Sequence, residues 1–184
     1  ATEALAAVIE QSGIARKDVN QIVSTGMGRY LFKESDREVS GVSCLAKAVN
    51  FLEPSARTIL EIGGEYSKTI RIDGGGNIRE YFVNEKCAMG TGRALDMMAR
   101  ILDVNIKLFG EYDSRAQKPL ELTHKCPVFA ESEVIRLLAR GAEKERIIAG
   151  LHTDVARRVC GLVYRCGVEE KVVMTGGVAL NDGV

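Results

Sequence analysis

The stretch TILEIGGEYSKTIRIDGGGNIREYFVNEKCAMGTGR, residues 58–93, is the part of the chain that decides the fold. An apolar run at residues 58–62 stops at a double glycine, and two alternating runs at 66–73 and 78–83 flank a glycine-rich turn. This pattern predicts a strand followed by a β-hairpin. The segment ends in a second glycine-rich stretch, residues 90–92, which precedes a long helical pattern.

Two predicted strands end in double glycines. The pair Gly63 and Gly64 follows the first strand, and the pair Gly176 and Gly177 follows a predicted buried strand at 171–174. Glycines let backbone N–H groups approach an anion closely, and a nearby helix N-terminus adds a favourable field. Because such pairs are also ordinary turns, the pattern by itself leaves both interpretations open, a plain turn and a phosphate site.

Helical and strand patterns alternate along the rest of the chain. The spacing of apolar residues predicts a short strand at 21–25 and helices at residues 1–11, 40–51, 91–104, 129–140 and 144–166. Residues 105–123 are polar and irregular, which predicts a surface excursion. The element order predicts an α/β layered fold, with a domain boundary at the break in residues 53–55.

The composition of the chain argues against several classes of function. The 25 basic and 25 acidic residues balance, so no electrostatic footprint for nucleic acid or an anionic membrane is present. No apolar run is long enough to span a bilayer and the start does not resemble a signal peptide, which favours a cytoplasmic protein. The five cysteines are an odd number without secretory features, and we interpret them as reduced thiols or ligands.

Six motifs together resemble one family. They are TGMGR, EIGGEYSK, NEKCAMGTGR, CPVFAESEV, IAGLH and TGGVA, at residues 25–29, 61–68, 84–93, 126–134, 148–152 and 175–179. In this order and spacing they resemble the ATP-dependent activators (component A) of 2-hydroxyacyl-CoA dehydratases and the ATP-hydrolysing subunits of benzoyl-CoA reductase. The combination spans nearly the whole chain and is specific, whereas each motif alone is weak.

The resemblance implies an actin-like ATPase fold of two ribonuclease-H-like domains, with ATP and Mg²⁺ in the cleft between them. On that mapping, residues 1–52 are the C-terminal part of the first domain and residues 53–184 are most of the second. The family's first phosphate loop would lie upstream, so we expect a fragment that lacks it. The residues implied to shape the nucleotide site are Gly63, Gly64, Gly176 and Gly177, with Lys68 either supporting phosphate or solvated at the surface.

The resemblance also implies one 4Fe–4S cluster shared across a homodimer or heterodimer. The matching ligand positions are Cys87 and Cys126, each just before a predicted helix whose positive end would face an anionic cluster. Gly90 and Gly92 would shape the helix entrance beside Cys87. Two cysteines leave the cluster half-coordinated, so a symmetric partner must complete it, and the protein would be oxygen-labile and anaerobic. Without the motifs, two lone cysteines would be interpreted as buried apolar residues, which is what we expect of Cys44, Cys160 and Cys166.

The second phosphate motif departs from the family pattern Asp-Ile-Gly-Gly-Gln-Asp-Ser-Lys. Glu61 keeps a carboxylate where Asp would help to hold Mg²⁺ or its waters. Glu65 places an anion near the expected γ-phosphate, where it could orient or deprotonate the attacking water but would also repel phosphate. The competing interpretation of Glu65 is a solvated loop carboxylate.

The function implied by the resemblance is an ATP-driven electron-transfer activator. A reduced ferredoxin or flavodoxin would supply the electron, and nucleotide-linked domain movement would pass it to an acyl-CoA dehydratase or benzoyl-CoA reductase component. Two alternatives stay open: an actin-fold small-molecule kinase without a cluster, and a non-catalytic nucleotide-binding homologue.

Overall fold

The computed structural model describes residues 1–84, 90–123 and 126–184. The helices in this part of the chain are α1 (Thr2–Ser12), α2 (Gly41–Leu52), α3 (Gly92–Leu102), α4 (Phe109–Arg115), α5 (Pro127–Ala139) and α6 (Lys144–Cys166). The strands are β1 (Val23–Ser24), β2 (Arg37–Glu38), β3 (Thr58–Ile62), β4 (Ser67–Ile72), β5 (Ile78–Asn84) and β6 (Val172–Thr175). Short 3-10 turns lie at Ile106–Leu108 and Gly177–Leu180.

A four-stranded sheet with the order β5–β4–β3–β6 forms the centre of the fold. β4 pairs antiparallel with both β3 and β5, whereas β6 runs parallel to β3. The turn between β4 and β5 is closed by Asp73, whose carboxylate accepts 2.9 Å hydrogen bonds from the backbone N–H groups of Gly75 and Asn77. The predicted strand and hairpin are therefore confirmed.

Helices cover both faces of this sheet. Ile59 and Ile70 are fully buried on the face that packs against Ala46 and Val49 of α2. Ile62 belongs to the opposite core, which it shares with α3, α5 and α6. Because side chains alternate between the faces of a strand, β3 supplies apolar residues to both layers. The α/β layered architecture is confirmed, and the domain division at residue 52 stays a prediction.

The prediction that residues 105–123 form an irregular surface excursion is wrong for the centre of this segment. Phe109 begins α4 and is fully buried, with its ring 5.9 Å from the ring of His152. The helix has only seven residues, so its apolar spacing is too short to be distinguished from an irregular loop.

Several burial predictions also fail. Cys160 is exposed on α6 and Cys44 is half-buried, whereas Cys166 is buried as expected. The predicted buried strand, β6, leaves Val172 and Met174 45% and 39% exposed, because it lies at the edge of the sheet formed by the described residues. Within these residues, no helix combines the length and apolarity that crossing a lipid bilayer requires.

The close approach of α6 to the segment before α5 gives a stability prediction. A Cβ on Gly150 would overlap the carbonyl oxygen of Leu120, whereas a Cβ on Gly161 of the same helix would meet open space. We expect Gly150→Ala to lower the free energy of unfolding by about 1–3 kcal/mol. The control Gly161→Ala should raise it by roughly 0.5–1 kcal/mol, because alanine is the better helix former.

Urea denaturation of the two variants and the unchanged protein measures both effects. A Gly150→Ala variant as stable as the unchanged protein would contradict this contact.

Candidate functional site

Three glycine-containing segments meet at the carboxyl ends of β3 and β6. These strands are parallel neighbours, so the chain leaves both of them at the same edge of the sheet. Gly63 and Gly64 follow β3, Gly176 and Gly177 follow β6, and Gly92 begins α3. In α/β sheets this edge is where ligands bind, because loops rather than side-chain layers occupy it.

Gly176 brings the turn after β6 against the backbone of β3. Its φ of +93° lies in the left-handed region, and a Cβ here would overlap the carbonyl group of Ile62. Glycine therefore meets a steric requirement at this position. The following residue, Gly177, has open space around it and lies at the surface of the site.

The N-terminus of α3 binds the turn after β3. The backbone N–H of Gly92 donates to the carbonyl of Gly63, and that of Arg93 donates to the carbonyl of Gly64, both at 2.9 Å. The N–H of Gly63 itself donates to Tyr66 at 2.9 Å. These three N–H groups are thus satisfied within the protein, so any anion at this edge must be bound by other groups.

A cavity of about 500 Å³ opens where the three segments meet. Three of the residues predicted from the sequence line it: Gly64, Gly92 and Gly177. The remaining walls are apolar at Leu95, Ile106, Val178 and Leu180, and polar at Asp96, Lys107 and Asn181. An apolar cleft with a few polar groups suits a flat heteroaromatic ring joined to a polar group.

Sequence reasoning missed the polar residues of this wall. Lys107 lies in the predicted surface excursion, and Asp96 lies on α3, where only the apolar residues follow a periodic pattern. Asn181 stands two residues after the TGGVA motif, and this proximity is the signal that could have found it.

Glu61 and Lys68 form an ion pair beside the cavity. They are cross-strand partners on β3 and β4, with Nζ of Lys68 2.5 Å from Oε2 of Glu61. Both side chains are about one-fifth exposed, at 23% for Glu61 and 20% for Lys68. The cavity wall formed by the described residues includes neither of them. Each charge is compensated by the other, and their roles toward Mg²⁺ and phosphate stay predictions.

Glu65 lies on the exposed side of the turn after β3. Its carboxylate is 2.9 Å from the guanidinium of Arg93 in the first turn of α3. The Glu65 side chain is 47% exposed, so it is accessible to solvent while its charge is partly compensated. A carboxylate paired in this way repels phosphate less strongly than a lone anion would.

Gly90 packs against the start of β4. It is buried, and its carbonyl accepts a hydrogen bond from the hydroxyl of Ser67. A Cβ on Gly90 would lie 3.0 Å from the side-chain nitrogen of Asn84 and 3.6 Å from Arg158. The segment that enters α3 is thereby held between β4, β5 and α6.

Cys126 is an exposed thiol at the N-terminus of α5. It occupies the N-cap position, and its carbonyl accepts a 2.9 Å hydrogen bond from Ala130. Val128 and Phe129, which follow closely in the first turn of α5, are 66% and 60% exposed. The other predicted ligand, Cys87, lies outside the described residues. A thiol at the positive end of a 13-residue helix has the donor chemistry that an iron–sulfur cluster needs.

Glu133 fixes the segment that leads to Cys126. The Glu133 side chain is 4% exposed and accepts hydrogen bonds from both the backbone N–H (3.1 Å) and the hydroxyl (2.7 Å) of Thr123. These hydrogen bonds attach the chain before Cys126 to the second turn of α5. Among residues 1–84, 90–123 and 126–184, no group of three or more His, Cys, Asp or Glu residues could hold a metal ion.

The sequence has close relatives among proteins of known role. The profile of the BadF/BadG/BcrA/BcrD ATPase family matches residues 1–184. The activator of lactoyl-CoA dehydratase from Anaerotignum propionicum is 48% identical over 181 residues, which are 98% of this chain and 70% of that protein.

Two solved structures resemble the fold closely. The activator of the 2-hydroxyisocaproyl-CoA dehydratase from Clostridium difficile, with bound ADPNP, gives a TM-score of 0.87 at 43% identity over 99% of this chain and 68% of its own. The Acidaminococcus fermentans (R)-2-hydroxyglutaryl-CoA dehydratase component A gives 0.88 at 40% identity, over 99% of this chain and 70% of its own. The predicted actin-like ATPase fold is thereby confirmed.

The motif order, the glycine turns at one sheet edge and these similarities lead to one assignment. The chain belongs to the BadF/BadG/BcrA/BcrD ATPase family.

Proposed function

We propose that this chain is the greater part of an ATP-dependent electron-transfer activator that serves an acyl-CoA dehydratase. The observation that carries the proposal is the cavity between three glycine segments, in a chain 48% identical to an activator of lactoyl-CoA dehydratase. The alternative acceptor is a benzoyl-CoA reductase component.

The cavity is proposed to hold the adenosine part of ATP. Its apolar walls fit a purine ring, and the polar groups of Asp96, Lys107 and Asn181 fit the ribose or the ring edge. A homologous activator was solved with ADPNP bound, which supports the same ligand here. Glu61 with Mg²⁺, Lys68 and Glu65 would act at the phosphates, in a cleft between domains of residues 1–52 and 53–184.

Cys126 and Cys87 are proposed to supply two of the four thiolates of a 4Fe–4S cluster. When bound, such a cluster supplies one-electron transfer at low potential. The exposed apolar surface of Val128 and Phe129 beside Cys126 fits a second, homologous subunit that contributes the other two ligands. A ferredoxin or flavodoxin would be the donor.

One helix connects the two proposed sites. Gly92 at the start of α3 lines the cavity, and Cys87 stands in the same motif, residues 84–93. α3 also packs against α5, the helix that begins at Cys126. A nucleotide that shifts the N-terminus of α3 would act on the chain segment that follows Cys87 in sequence and, through the packing of α3 on α5, on the helix that begins at Cys126. This would couple nucleotide state to electron transfer.

The cysteine assignment predicts the behaviour of matched variants. After anaerobic purification of the full-length protein we expect about two irons per subunit, from one cluster shared by two chains. Cys126→Ser should lose the iron and the dehydratase activation, because serine is a poor ligand for iron. The control Cys160→Ser, at another exposed cysteine, should keep both.

Iron analysis and the visible spectrum measure the result. A colourless unchanged protein that phosphorylates a small molecule would favour the kinase alternative. A colourless dimer without ATP hydrolysis would favour the non-catalytic homologue.

The role of Glu65 is tested by removing its polar group. If Glu65 orients or deprotonates the attacking water, Glu65→Ala should lower kcat for ATP hydrolysis by roughly a hundredfold, with KM for ATP little changed. The control is Glu80→Ala, because the Glu80 carboxylate on β5 also pairs with an arginine, Arg71. Phosphate release at saturating Mg²⁺ and ATP measures kcat. An unchanged kcat would make Glu65 a solvated carboxylate held by Arg93.

A further inference from the structure

His152 is a buried polar side chain directly behind the cavity wall. It lies on α6 and is 2% exposed, between Phe109 of α4 and the segment that follows β6. A Cβ on Gly183 would overlap the His152 ring, so the segment passes directly over it. Nε2 of His152 is 3.0 Å from the side-chain nitrogen of Asn181, a residue of the cavity wall.

The hydrogen-bond partners assign the protonation of the ring. Oδ1 of Asn181 accepts from the backbone N–H of Gly183 at 3.0 Å, so its NH₂ group faces His152 and donates to Nε2. The ring proton then lies on Nδ1, which is 3.3 Å from Oδ1 of Asp113 on α4. This contact is not well aligned as a hydrogen bond, so Asp113 acts mainly through its charge.

Burial keeps the ring in this neutral form. It lowers the pKa of His152 below its ordinary value of 6.5, and the nearby Asp113 carboxylate opposes the shift. A neutral ring keeps Nε2 free to accept, whereas a protonated ring would present a second donor to the amide of Asn181.

We propose that His152 is a positioning residue of the nucleotide pocket, which acts by holding Asn181 and the wall from Gly177 to Leu180 against α4 and α6. The inference rests on the proposed nucleotide function of the cavity. Without an acceptor at this position, the amide of Asn181 would lose its buried partner and could turn toward the ligand. The wall would then be free to shift. Nucleotide binding would have to order it, and the free-energy cost of this ordering would lower the affinity for nucleotide.

Two substitutions separate this role from simple packing. His152→Phe keeps the ring volume and the contact with Phe109 but removes the acceptor. His152→Gln keeps a carbonyl oxygen that can accept from Asn181. If His152 only fills space, the phenylalanine variant should bind nucleotide at least as well as the glutamine variant.

The test is ADP binding by calorimetry, with steady-state ATP hydrolysis, on the full-length protein. We expect His152→Phe to weaken ADP binding about fivefold, the effect of one buried hydrogen bond. KM for ATP should rise by a similar factor while kcat stays within about twofold, because His152 does not touch the reacting phosphate. His152→Gln should restore the affinity to within about twofold. Equal ADP affinity in the unchanged protein and His152→Phe would overturn the inference.

A substitution at Asp113 gives a second test, which can be carried out even if His152→Phe does not fold. Asp113→Asn keeps the shape of the side chain but removes the charge that faces Nδ1, and should weaken ADP binding about twofold. Unchanged ADP affinity in Asp113→Asn would overturn the inference whether or not His152→Phe folds. Where His152→Phe folds, the effect of Asp113→Asn should vanish in the double variant, because both act through the same contact. The control Glu111→Ala, on the same helix but paired with Arg115, should leave affinity unchanged.

The outcomes distinguish the two proposals. Additive effects of Asp113→Asn and His152→Phe would overturn the inference alone. An unchanged full-length protein that binds no ADP would overturn the proposed nucleotide function, and the inference with it.

Discussion

The parallel pairing of β3 with β6 is the constraint on which the candidate site depends. Two strands that run side by side in one direction bring their following turns to the same edge, although more than a hundred residues of chain separate them. The pairing can continue to the strand ends only because Gly176 adds no side chain against the carbonyl of Ile62. The cavity is the space left when two such tight turns meet the start of α3.

The start of α3 stabilises the fold and also lines the proposed nucleotide site. Its first N–H groups are used to bind the carbonyls of Gly63 and Gly64, so the helix is attached firmly to the turn after β3. The same helix leads back to the segment that carries Cys87 and packs on α5, whose N-cap is Cys126. α3 is thus the element that the two proposed sites share.

Charges around the turn after β3 are arranged in compensated pairs. Lys68 neutralises Glu61 across the strands, and Arg93 neutralises Glu65 at the surface. The loop therefore has little net charge of its own in this part of the chain. Attraction for phosphate must come from a cation such as Mg²⁺ or from other residues.

The sequence by itself determined the elements whose signals are local, and the family. The long apolar periodicity of α6, the turn at Asp73 and the six ordered motifs are each contained in a short run of residues. Only the tertiary structure decided which distant residues meet: α4 inside the supposed loop, Cys160 at the surface, and Asn181 beside His152. These depend on how helices pack over the sheet, and packing between remote segments leaves no periodic trace in either segment alone.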